Sequence, residues 1–201
     1  MQIFSLLLLC FAISFCTDTD DKAGKHMSAR RTSHPVYINY SKPLREIIRE
    51  QNIQARYLSV IIQKKKHLLL LTYENRIVKS YPVVLGSNPV ADKKMEGDGC
   101  TPEGVFHIQS KYPHAKWSKF MWLNYPTKDS YEKFKRSKTK GEIPKNAAIG
   151  GQIGIHGVKE GMDKLIDQRV NWTKGCISLK TSDINELFDH LPDNARVVIE
   201  K

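Results

Sequence analysis

From Tyr57 onward the chain repeatedly sets apolar residues against polar ones at a spacing of two, the mark of strands with one buried face. Residues 58–62, 68–72 and 77–84 predict three strands, with Lys64-Lys65-Lys66 and Glu74-Asn75-Arg76 as the turns between them. The lysine triplet reads as a solvated hairpin tip. Residues 105–108 and 196–199 predict two more strands, and turn formers gather over 85–89 and 97–104. Two segments carry helical spacing instead. Leu44, Ile47 and Ile48 follow Pro43, a residue suited to a first helical turn. Ile184, Leu187, Phe188 and Leu191 form a stripe after Thr181-Ser182-Asp183, where Asp183 and Glu186 fit a capping pattern. Residues 111–147 break the alternation: Trp117, Trp122, Tyr125 and Tyr131 lead into the basic run 133–140. That stretch reads as an inserted excursion bordering a cleft. Strands dominate and helices are few, so the expected class is mainly β.

The first residues differ in character. Residues 3–15 are an almost unbroken apolar run, too short to span a bilayer and of the length of a signal-peptide core. The run ends Ile13-Ser14-Phe15-Cys16 and turns acidic at Asp18, Asp20 and Asp21. Two processing routes fit: a lipoprotein signal that leaves Cys16 lipidated and the protein attached to a membrane, or a secretory signal cut a few residues later. Both imply export, to the periplasm or cell envelope. Residues 17–35 are polar and read as a tether. The expected organisation is a signal over 1–16, a tether with a short amphipathic helix over 17–56, and one main domain over 57–201.

Cys10 and Cys16 fall in or beside the signal, which leaves Cys100 and Cys176 as the thiol candidates of a mature chain. A disulfide between those two suits an exported protein; a free thiol suits the local context of Cys176. The balance of 32 Lys and Arg against 21 Asp and Glu, a formal charge of +11, points to an anionic partner. No nucleic-acid-binding motif accompanies it, so the expected partner is a polyanionic envelope and not nucleic acid.

Candidate chemistry lies in Ile153-Gly154-Ile155-His156-Gly157 and, twenty residues after His156, in Gly175-Cys176-Ile177-Ser178-Leu179. Alternation places Ile153, Ile155, Ile177 and Leu179 toward the core and leaves His156 and Cys176 on the other side, free to meet. An ordinary thiol is mostly protonated at neutral pH. A histidinium about 4 Å away would favour the thiolate by roughly 4 kcal/mol, or about three pKa units as an upper figure. The imidazole would then act as base and acid in acyl transfer. Gly175 lets the backbone approach a ligand closely, and the N–H groups of Lys174 and Gly175 are the candidate oxyanion donors. His107 reads as structural, while His67, His114 and His190 read as surface groups.

At these residues the chain resembles the L,D-transpeptidase catalytic domain family (YkuD-like). His156-Gly157 followed by Thr173-Lys174-Gly175-Cys176-Ile177-Ser178-Leu179 is similar to the family's His-Gly and Ser-x-Gly-Cys-Ile/Val-Arg-Leu/Met signature. Thr101-Pro102-Glu103-Gly104-Val105-Phe106-His107-Ile108 resembles its Thr-Pro-x-Gly-x-Phe/Tyr-x-Ile strand, and residues 57–86 its opening hairpin and Leu-Gly loop. The resemblance implies a β-sandwich with short helices, Cys176 as nucleophile, His156 as general base, and the Gly157 carbonyl as the group orienting the imidazole. It also implies a peptidoglycan stem peptide as donor, a Cys thioester, and an amine acceptor on a second stem or an envelope protein, with no metal or organic cofactor. Thr173, Ser178, Trp172 and Gly154 are the expected substrate contacts. Thr173 keeps the hydroxyl of the family's Ser, but Ser178 replaces a charged fork with a short neutral group. Hydrolysis on the same scaffold, and a non-catalytic envelope-binding module, are the alternative readings.

Overall fold

The computed structural model describes residues 36–201. The expected signal over 1–16, with Cys10 and Cys16, and the tether up to residue 35 lie outside the described residues.

The alternation that opens the main domain becomes an antiparallel meander of β1 (Leu58–Gln63), β2 (Leu68–Tyr73) and β3 (Arg76–Pro82). Leu58, Val60 and Ile62 of β1 are buried, as period-two spacing requires. The first hairpin tip departs from expectation at one residue. Lys65 and Lys66 are exposed, but Lys64 is 1% exposed. Its ammonium donates to the carbonyls of Ala91 (2.7 Å) and Thr101 (3.1 Å) and to the carboxylate of Glu103 (2.9 Å). With three acceptors the buried charge is compensated, and Lys64 ties the 86–103 loop to the meander.

The remaining strands are β4 (Gly104–His114), β5 (Ser118–Leu123), β6 (Gly154–Gly157), β7 (Ile177–Leu179) and β8 (Arg196–Glu200). They complete one eight-stranded sheet in the order β3-β2-β1-β8-β4-β5-β6-β7. The β1–β8 and β6–β7 pairs are parallel and the others antiparallel. The segment after β3 crosses to the opposite edge, where Val84 bridges Ser178 and Gly86 bridges Thr173. The sheet therefore curls until its edges meet, which removes open strand edges and places residues 173–178 at the seam. That seam is tight: a Cβ on Gly86 would lie 2.0 Å from the Gly99 carbonyl oxygen and 3.1 Å from the Gly175 Cα.

Leu69, Leu71, Tyr81, Phe106, Ile155, Ile177 and Val197 belong to one apolar core inside the curl. Helix α1 (Leu44–Glu50) adds Leu44 and Ile47 to it. Residues 111–123 extend β4 and return as β5, so the stretch between the alternating segments begins inside the sheet. The chain leaves the sheet as α2 (Lys128–Thr139), whose first turn is capped by the Thr127 hydroxyl accepting from the Ser130 N–H at 3.3 Å. A short α3 (Lys164–Asp167) precedes the seam.

In α4 (Thr181–His190), Ile184 and Leu187 face the core, but the capping expectation fails. Lys180 occupies the N-cap position without a side-chain cap. Asp183 instead accepts from Tyr40 Oη (2.8 Å), while Glu186 accepts from Tyr81 Oη (2.8 Å) and pairs with Lys79 (2.7 Å). Distant partners on the N-terminal segment and β3 take the carboxylates that local capping would have used.

Candidate active site

In β6, His156 lies opposite Phe120 of β5 on one side and Ser178 of β7 on the other. Its neighbours Ile153 and Ile155 enter the core, as do Ile177 and Leu179 across the ladder. Alternation therefore leaves His156, and Cys176 just before β7, on the face away from that core. Both line a cleft of ≈600 Å³ with Trp117, Gln152, Trp172, Thr173, Lys174 and Lys93 among its walls. Cys176 is half-buried, and its thiol donates to the Gln152 carbonyl at 3.4 Å. Cys176 and Cys100 are both free thiols, so no disulfide joins them. The buried Cys100 points its own thiol at the Asp98 carbonyl (3.5 Å).

His156 is 1% exposed. Its Nδ1 lies 2.7 Å from the Gly157 carbonyl oxygen. A carbonyl only accepts, so Nδ1 carries the proton and the Nε2 lone pair is left for the cleft. The ring is enclosed by aromatics: Trp117 stacks on it at 4.4 Å, Phe120 at 5.6 Å, and Trp172 meets it edge-on at 5.5 Å. His114, expected on the surface, stacks on the far side of Trp117 at 4.3 Å. Gly154 makes room for this packing, since a Cβ there would lie 2.4 Å from the Phe120 ring.

Enclosure sets the protonation states. Burial pushes His156 down to about 4, opposed by the Gly157 hydrogen bond. Burial pushes the Cys176 thiol up to about 11, opposed by the Gly154 N–H and the Lys93 charge. Both shifts oppose the thiolate–histidinium pair expected from residue types and favour a neutral thiol and a neutral imidazole in the cleft. Desolvation is the largest cause of each shift.

The nucleophile loop is pinned by Thr173. Its hydroxyl donates to the Cys176 carbonyl (2.7 Å) and accepts from the Gly175 N–H (3.1 Å). The Gly175 N–H is therefore engaged within the loop and is not open to a ligand. Gly175 adopts φ +141°, and a Cβ there would meet the Cys100 carbonyl oxygen at 2.7 Å, so no larger residue fits without a shift. Lys174 is exposed along the cleft. Of the expected substrate contacts, Thr173 and Trp172 line the cleft, whereas Gly154 and Ser178 do not. Ser178 is 0% exposed and turns its hydroxyl to the Gly157 carbonyl at 3.3 Å. Trp117, Gln152 and Lys93 were not singled out as site residues by sequence reasoning. Trp117 had only its place in an aromatic–basic stretch as a signal, and Gln152 and Lys93 had none. Lys93 is held in place by Asp98 (2.8 Å) and the Met95 carbonyl (3.0 Å).

Residues 57–199 match the L,D-transpeptidase catalytic domain family (YkuD), and the chain belongs to that family. No curated protein matches the chain. Among solved structures it is similar to the helical cell shape determining protein Pgp2 of Campylobacter jejuni, with 21% identity and a TM-score of 0.52, over 72% of this chain and 48% of that one. It is likewise similar to Bd1075 of Bdellovibrio bacteriovorus, with 18% identity and a TM-score of 0.50, over 72% and 48% of the two chains. The chain spans about half the length of these two structures.

Proposed function

We propose that the protein is an exported cysteine acyl transferase of the cell envelope that acts on peptidoglycan stem peptides. The observation that carries this reading is the pairing of Cys176 with His156 in one cleft, with Nδ1 locked on the Gly157 carbonyl so that Nε2 is the available base. The thiol begins neutral. As Sγ bonds to the carbonyl carbon after the L-centre of the third stem residue, Nε2 takes the thiol proton. The C–N bond then breaks, that proton passes to the departing D-alanine amine, and a Cys176 thioester remains. An amine acceptor gives its proton to Nε2 and displaces Sγ, which forms the new amide and regenerates the thiol. The Gly154 N–H facing the sulfur supports the charge that develops there before the bond is complete.

The walls of the cleft suit such a donor. Trp117 and Trp172 offer apolar surface to a peptide, and the exposed Lys174 offers positive charge to its carboxylates, with Glu96 on the same wall. The apolar run over 3–15 supports delivery outside the cytoplasm, where this substrate is found. Incubation with purified disaccharide-tetrapeptide tests the reading: cross-linked dimer and free D-alanine should both appear, and Cys176→Ala should abolish both. D-alanine accompanied only by shortened monomer assigns hydrolysis, with water as acceptor. Products unchanged in Cys176→Ala overturn the enzyme reading altogether.

A further inference from the structure

We propose that Ser178 is a positioning residue for this site: its hydroxyl shares the Gly157 carbonyl with the His156 Nδ1–H, fixing that acceptor and limiting its pull on the imidazole proton. Ser178 is 0% exposed and stands directly across the β6–β7 ladder from His156. Its Oγ lies 3.3 Å from the Gly157 oxygen, which is 2.7 Å from Nδ1. An amide carbonyl has two lone pairs, and here both face donors. Each donor draws on the same oxygen, so the serine weakens the hold that the carbonyl would otherwise have on Nδ1–H.

The surrounding strand gives the acceptor little freedom to move by itself. The Gly157 N–H donates to the Trp117 carbonyl at 3.2 Å, and a Cβ on Gly157 would lie 2.6 Å from that oxygen and 2.9 Å from Ile184 Cγ2. Ser178 does not line the cleft, so it acts on substrate only through His156. Its site is closed to solvent, a place where a short hydroxyl is satisfied and a guanidinium would be buried.

Removing the hydroxyl leaves the full acceptor strength of Gly157 to Nδ1–H. That favours the protonated ring, so the imidazole should titrate at higher pH. The test is an NMR titration of the His156 ring nitrogens in the substrate-free protein, for wild type, Ser178→Ala and Ser178→Thr. The alanine variant should titrate at higher pH than wild type, and the threonine variant, which keeps the hydroxyl, should return toward it. A kinetic arm rests on the acyl-transfer reading: Ser178→Ala should move the acid limb of the kcat pH profile upward with the His156 titration, with KM unchanged. Identical His156 titration in wild type and a folded Ser178→Ala overturns the proposal, as does a rise in KM with kcat unchanged. Because the titration needs no substrate, failure of the acyl-transfer reading leaves it intact.

Discussion

A neutral resting pair makes a quantitative demand on Cys176. With its thiol near 11, against an ordinary value of 9.0, only about one molecule in ten thousand carries the thiolate at pH 7. That is about a hundredfold less than an unperturbed cysteine. A more basic thiolate is also more nucleophilic, by about tenfold over two units at a Brønsted slope near 0.45. The net expectation at pH 7 is alkylation by iodoacetamide about tenfold slower than a free thiol of pKa 9. The logarithm of the rate should climb with unit slope from about pH 6 to 10, where such a thiol has no plateau. Peptide-resolved mass spectrometry reads Cys176 apart from the other cysteines, and the buried Cys100 should remain unmodified. His156→Gln should leave the profile in place, since no histidinium supports the thiolate. A plateau between pH 6 and 8 that disappears in His156→Gln would refute the reasoning, because it would reveal a preformed ion pair.

Trp117→Ala uncovers one face of the His156 ring, and with desolvation relieved its pKa should rise from about 4 toward the ordinary 6.5. The acid limb of activity should move up with it, which a pH profile of D-alanine release would show. Lys64→Ala strips three acceptors of their cation and should destabilise the fold by roughly 3 kcal/mol, at the low end for a buried pair because Glu103 is 25% exposed; urea unfolding measures this. Asp183 has its pKa raised from 3.8 to about 6, chiefly by burial. A raised carboxyl contributes stability below the unfolded value and loses it as pH rises through the folded one, so it withholds up to about 3 kcal/mol above pH 6. Asp183→Asn should therefore raise unfolding stability at pH 8 and change it little at pH 4.

Much of this molecule is legible in its amino-acid order. Four of the period-two segments become strands at nearly the expected bounds, the fifth, 105–108, runs on to His114, and the alternation around His156 and Cys176 sorts isoleucines to the core and reactive groups to the cleft. These are local signals, carried by residues within one element. What escaped depends on partners far apart in sequence. Lys64 looks like its exposed neighbours Lys65 and Lys66 until the 86–103 loop closes over it. Asp183 and Glu186 have the spacing of a cap, yet Tyr40, Lys79 and Tyr81 claim them. Ser178 departs from the family signature in a way that suggested a lost substrate contact, and only the register of β6 against β7 turns it toward Gly157. The charge state of the pair was likewise out of reach, because residue types carry the Coulomb attraction and only the packed aromatics reveal the desolvation.

The central claim is that Cys176 carries the acyl group. Intact-mass and peptide-mapping analysis of the protein mixed with purified disaccharide-tetrapeptide measures it directly. The account predicts a covalent adduct equal to the donor minus D-alanine, located on the Cys176 peptide, labile to added thiol and absent from Cys176→Ala. D-alanine release that persists in Cys176→Ala, or turnover of the donor with the adduct on another residue, would contradict it.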